Sequence, residues 1–254
     1  MIIRNDTQRA NLIEAGKRLA SVLEQLKAKV APGVTAEELD DFAEARIREG
    51  GDVPAFLGYT PEGALRPYPA TLCVSINDEV VHGIPNESKK VLKEGDIVGL
   101  DLGLIHEGII VDAAITVAVG QPDALSKKLL YATEEALAAG IAEALPGNHI
   151  GDISHAIGTV IERAGFSVVK SLGGHGVGDV VHEEPFIPNY GRAGAGPLLV
   201  EGMVLALEPI SSAGKAAVVI APDGYTYKTK DGSRSAHFEH TILIEKDGAR
   251  IITV

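Results

Sequence analysis

Hydrophobic residues recur at helical spacing in two stretches of this chain, and each stretch is followed by apolar runs short enough to be strands. Leu12, Ile13, Leu19, Val22, Leu23 and Leu26 fall on one side of a first helix, which Asp6 or Thr7 is placed to cap and Pro32-Gly33 ends. Thr35 and Glu38 form a capping box for a second helix that stops at Gly50-Gly51. The arrangement then recurs. A helical stretch over 126–144 is stopped by Pro146-Gly147, and a further helix with Ile150, Ile153, Ile157, Val160 and Ile161 on its apolar side ends at Gly165. Pro32 and Pro146 lie 114 residues apart, and each precedes a helix that reaches glycine about five turns on. Strand-like segments follow each pair, at 70–76, 97–105 and 109–119 in the first half and 203–210, 216–220 and 237–244 in the second. The pattern predicts one α+β domain over 1–254, built of two similar halves of about 1–120 and 121–254 related by a pseudo-twofold. A site drawing on both halves is expected between them.

Composition narrows the partners. Lys+Arg 23 against Asp+Glu 35 leaves a net charge of −12, which argues against nucleic acid and anionic membrane surfaces; solubility alone accounts for it. Trp is absent and aromatics make up 4% of the chain, so the core must rest on Val, Ile, Leu and Ala. Cys73 is the only cysteine, which rules out an internal disulfide. The first residues lack the apolar region of a signal peptide, and no apolar run approaches the ~20 residues of a membrane span. A soluble cytoplasmic protein is expected.

Candidate chemistry comes from acids in apolar strands. Segment 95–112 reads as a hairpin turning near His106-Glu107-Gly108, with Asp101 and Asp112 inside the two strands. Their odd spacing of 11 lets a tight hairpin place both on one face, opposite each other, with Cβ atoms ~5 Å apart. Two carboxylates that close repel unless they share a proton or a cation. Glu208 and Glu239 repeat the anomaly in the second half, and four such carboxylates imply a hard or borderline cation site. His175 lies between glycines in 173–178, His182 follows seven residues later, and His82 precedes Gly83. His106, His149 and His155 sit at a turn or on helices and are read as structural. His237 and His240 flank Glu239 and remain open. No Gly-x-Ser-x-Gly elbow is present, and Cys73 is more simply a small buried hydrophobe than a nucleophile. Carboxylates and histidines without a nucleophile point to metal-activated water and hydrolysis.

These blocks resemble the methionine aminopeptidases. Segment 77–85 around His82, the paired Asp101 and Asp112 after 95–98, segments 174–178 and 182–185, Gly202-Met203 with Glu208-Pro209, and 235–241 all match in order over nearly the whole chain. The resemblance is to the type I enzymes of bacterial kind, in the M24 "pita-bread" metallopeptidases. It implies two related α+β halves around a curved antiparallel sheet. It also implies two divalent metals (manganese, iron(II) or cobalt, with zinc compatible) held by Asp101, Asp112, His175, Glu208 and Glu239. Asp112 and Glu239 would bridge them. Glu208 would accept the proton of the attacking water, His182 would stabilise the oxyanion and His82 would contact the substrate amide. The activity implied is removal of the initiator methionine from peptides and nascent chains, with a small second residue preferred. The enzyme would be monomeric and would meet its substrates at or near the ribosome. Phe56, Tyr59, Tyr68 and Cys73 resemble residues lining the methionine pocket. Val181 stands where an aromatic is usual, Tyr225 where tryptophan is common, and 60–67 is a longer loop than the bacterial pattern has. No zinc-finger extension or type II helical insertion is read in the chain. Two alternatives share the fold: a Xaa-Pro aminopeptidase or prolidase-like hydrolase, and a non-catalytic binding scaffold.

Overall fold

A computed structural model describes residues 1–254. Four helices form where the periodicity places them: α1 (Asp6–Lys29), α2 (Ala36–Glu49), α3 (Ala124–Glu143) and α4 (Ile150–Arg163). The first cap differs by a residue. Asn5, with extended backbone, accepts from the amide of Gln8, which leaves Asp6 in the first turn where its charge complements the helix N-terminus. Thr35 and Glu38 form the expected reciprocal box on α2. Asp123 caps α3, which begins two residues ahead of the stretch read from periodicity.

The strands are β1 (Val53–Pro54), β2 (Leu72–Ile76), β3 (Glu79–Val81), β4 (Ile97–His106), β5 (Ile109–Ala118), β6 (Ser167–Val168), β7 (Gly173–Gly176) and β8 (Glu183–Pro188). They continue with β9 (Val204–Leu207), β10 (Ile210–Ser212), β11 (Val218–Ile220), β12 (Tyr227–Thr229), β13 (Ser235–His237), β14 (Glu239–Glu245) and β15 (Gly248–Ile251). Nine of them make one antiparallel sheet in the order β1-β4-β5-β14-β9-β7-β8, with β2 also on β4 and β15 also on β14. This sheet runs without interruption from strands of the first half to strands of the second.

Two of the strands expected from the sequence are broken. Segment 203–210 divides at Glu208-Pro209 and 237–244 divides at Phe238. Proline cannot donate to a ladder, and the chain uses these points to pass from the large sheet into a small one of order β13-β10-β6. Glu208 therefore lies at a junction of sheets rather than within a strand.

The helices cover one face of the large sheet. Helix α1 packs on β4 and β5, α3 and α4 pack together, and α3 touches β9 and β14. Leu100, Leu102, Leu104 and Val111 point into the first core with α1 and α2. Ile242, Ile244, Leu205 and Leu207 point into the second with α3 and α4. Alternation then sends the intervening residues to the opposite face.

Candidate metal centre and active site

Strand register assembles the polar cluster on that opposite face. Asp101 pairs with Ala114, and Ala114 with Glu239, so a methyl group separates the two acids in one row. In the next row Gly103 pairs with Asp112, and farther along His175 pairs with Ala206 and Ala206 with Thr241. Asp112 and Thr241 are joined through the threonine hydroxyl, which accepts from the Asp112 amide at 2.9 Å and donates to its carbonyl at 2.7 Å. Asp101 and Asp112 thus share a face, as their spacing requires, but they are diagonal neighbours rather than opposite. The β4–β5 turn is the reason: Glu107 (φ 48°) and Gly108 (φ 78°) make a two-residue loop with two positive φ angles, which sets the register two residues away from direct opposition.

Glycines bring the imidazole in. An added Cβ at Gly174 would overlap the Ala206 carbonyl, so only glycine lets β7 lie this close to β9. The His175 Nδ1–H faces the Gly176 carbonyl at 2.9 Å, which turns Nε2 toward the cluster. One ligand atom each from Asp112, His175 and Glu239 lies within 4.8 Å of the others. Glu208 closes the group, with Oε1 3.7 Å from His175 Nε2 and Oε2 3.3 Å from His237 Nε2.

The electrostatics are those of a cluster short of positive charge. Asp101 Oδ1, Asp112 Oδ1 and Glu239 Oε1 are buried without a hydrogen-bond partner, and none of the four carboxylates pairs with a lysine or arginine. Burial, and then repulsion from neighbouring acids (Asp101 and Glu208 on Asp112; Asp112, Glu208 and Asp101 on Glu239), push Asp112 and Glu239 well above the usual carboxylate range, and burial pushes Asp101 up to about 6. Glu208 goes the other way. Burial opposes its ionisation, but the neighbouring imidazoles, His237 foremost, outweigh that and lower it. Acids that cannot all ionise together, with oxygens left unpartnered, fit a site for divalent cations, and the set of oxygens with one imidazole suits manganese, iron or cobalt.

An apolar pocket adjoins the acids. Phe56, Tyr59, Tyr68, Cys73 and Tyr225 line it together with Pro61, and His82, His175 and His182 lie at the same cavity. Pro61 belongs to the long loop over 60–67, which folds back on the pocket: the Tyr225 hydroxyl donates to the Arg66 carbonyl and the Tyr68 amide to the Tyr59 carbonyl. Val181 does not line the cavity and is instead buried in the first core. Cys73 is buried and its thiol is raised well above its ordinary value, so it is held protonated and is no nucleophile. Desolvation holds His82 and His182 down to about 4. His182 Nδ1 lies 2.9 Å from the Tyr59 hydroxyl.

The remaining histidines separate cleanly. His106 binds Asp52 at 2.7 Å, His155 faces the Gly191 carbonyl and His149 precedes α4, all outside the cavity. His240 bonds Thr253 at 2.9 Å, on the face opposite Glu239. His237, left open by the sequence, lies in the cluster. Its place two residues before Glu239 was the available signal, since alternate residues of an extended chain share a face.

A model of metallopeptidase family M24 matches residues 10–246. A methionine aminopeptidase of Aquifex aeolicus is 48% identical over 242 residues, covering 94% of this chain and 93% of that one. The crystal structure of a methionine aminopeptidase from Thermotoga maritima superposes with a TM-score of 0.94 at 43% identity, covering 100% of this chain and 99% of that chain. A prolidase from Pyrococcus horikoshii shares the fold at 22% identity and a TM-score of 0.76, and this chain spans 63% of its length. The curved antiparallel sheet with helices on one face is the pita-bread architecture common to these structures, and the chain belongs to metallopeptidase family M24, within its methionine aminopeptidase group.

Proposed function

We propose that this protein removes N-terminal methionine from peptides and nascent chains. The observation that carries the reading is a cluster of four carboxylates and an imidazole, with no lysine or arginine paired to the acids, set against an aromatic pocket. Asp101 would serve one ion, His175 and Glu208 the other, with Asp112 and Glu239 between them. Bound there, divalent ions supply Lewis acidity toward the scissile carbonyl and acidify a water for attack.

The side chains have complementary tasks. Glu208, ionised at neutral pH, is suited to accept the proton of the attacking water. His182 stays neutral at pH 7. With the Tyr59 hydroxyl donating to Nδ1, its Nε2–H is left to donate to the carbonyl oxygen as that oxygen gains charge. His82 is also neutral and faces the same cavity, placed for the substrate amide. Asp101, at the same cavity, suits the free α-amine of the substrate, which restricts cleavage to chain ends. Phe56, Tyr59, Tyr68 and Tyr225 offer aromatic walls to a thioether side chain, a favourable pairing for sulfur. The substrate setting is the cytoplasm, where new chains emerge.

The test is peptide cleavage after chelation and re-addition of manganese or cobalt, with Met-Ala-Ser, Met-Lys-Ser and Ala-Pro-Ser as substrates. Metal-dependent release of methionine from Met-Ala-Ser alone is the expected result. Cleavage of Ala-Pro-Ser would move the activity to proline-directed chemistry. Silence on all three with metal bound would leave a binding scaffold.

A further inference from the structure

We infer that His237 is a positioning residue that fixes the carboxylate of Glu208 and so sets the geometry of the metal centre. The inference rests on the reading of Glu208 as a ligand. Glu208 occupies the two-residue gap between β9 and β10, where no ladder constrains it, and its backbone is held only through the carbonyl that accepts from Asn189 at 2.8 Å. Its carboxylate is approached from two sides, His175 Nε2 at 3.7 Å from Oε1 and His237 Nε2 at 3.3 Å from Oε2. His237 Nε2 thus faces one oxygen at ion-pair distance without the alignment of a hydrogen bond, and the other oxygen faces His175.

The imidazole is itself anchored. Thr116, on β5 four residues after Asp112, accepts from the His237 amide at 2.9 Å and donates to its carbonyl at 2.6 Å. The strand that carries Asp112 therefore holds the backbone from which His237 reaches Glu208. His237 is 4% exposed, its Nε2 also lies 3.8 Å from Glu239 Oε2, and no group outside these acids competes for that atom. A buried donor aimed only at two acids of the centre has one economical use, which is to orient them.

The full-length protein with His237→Gln, His237→Ala and His237→Phe distinguishes the possibilities. Glutamine keeps a side-chain N–H donor near the position of Nε2 but is a poor metal ligand, whereas phenylalanine keeps only the ring. Manganese affinity is measured by calorimetry, the cobalt(II) centre by visible absorption, and turnover by kcat and KM separately. Thermal melts verify that each variant folds. Alanine and phenylalanine should bind the ions about 10–100-fold more weakly with an altered cobalt spectrum, and kcat should fall more than KM changes. Glutamine should restore affinity and spectrum toward those of the wild type. Unchanged affinity and spectrum in the alanine variant would make His237 a bystander and overturn the inference. Glutamine as damaging as alanine would also overturn it, making the imidazole itself a ligand. A wild-type protein that takes up no divalent ion would instead sink the reading of the centre beneath it.

Discussion

Asp40 and Asp112 are both buried aspartates, and their surroundings make opposite demands. Asp40 Oδ1 accepts from the amides of Thr71 and Leu72, each at 2.9 Å, so its place is structural: it ties α2 to the start of β2, the strand that carries Cys73. Desolvation nevertheless raises it from 3.8 to about 6. Between these values the folded state holds the proton more tightly than the unfolded chain, so stability falls as pH rises from about 4 to about 6, by up to about 3 kcal/mol. Asp40→Asn keeps the accepting oxygen and removes the titration. Urea midpoints should therefore favour the variant increasingly over that window, and a constant difference between the two proteins would contradict the assignment. Asp112 has no such pair of amides for its carboxylate, and its Oδ1 has no partner at all. Replacing it with alanine should abolish ion binding and activity together, whereas His182→Ala should keep the ions and lose turnover by about 10²–10³-fold, the scale of an oxyanion donor. Ion loss in the His182 variant, measured by elemental analysis, would make that histidine a ligand.

Elements carry the site through how closely they approach. At Gly103 an added Cβ would lie 2.6 Å from Phe56 Cε1 and 2.9 Å from Ala55 Cβ, so the absence of a side chain on β4 is what seats Phe56 in the pocket wall. Gly103→Ala should displace that ring and raise KM for methionyl peptides by about tenfold. Unaltered KM, with the protein folded, would remove Phe56 from the pocket. Helix boundaries were legible because caps are local: Thr35, Glu38 and the glycines at 50 and 165 act within a few residues of their own sequence. The breaks at Pro209 and Phe238 were not. An apolar run contains nothing to say that its second part leaves for another sheet, and only the pairing of β10 with β13 and β6 accounts for the departure.

For the molecule as a whole, one continuous sheet with helices on a single face leaves its other face free to concentrate charge. Asp101 and Asp112 come from the first half and His175, Glu208 and Glu239 from the second, so ions bound there would clamp the two halves together. Ions that bind the folded state alone add ~2.7 kcal/mol at a hundred times Kd. For a chain of this size that corresponds to about 5–10 °C in Tm. Manganese added to the chelated protein should raise the melting temperature by this amount, and Asp112→Ala should not respond. An equal rise in both proteins would show binding elsewhere.

The sequence by itself determined the helices, the hairpin and the shared face of Asp101 and Asp112, because periodicity, caps and strand parity are properties of neighbouring residues. It also marked Asp101, Asp112, Glu208 and Glu239 as acids out of place, since a carboxylate in an apolar run is conspicuous without coordinates. Tertiary structure decided the rest. The diagonal offset of the aspartates follows from turn geometry, the burial of Val181 away from the pocket from packing, and the addition of Pro61 from a loop folding back. His237 and His240 are three residues apart and looked alike in the chain. One meets the acids and the other meets Thr253, because the face that a side chain occupies is set by strands far away in sequence.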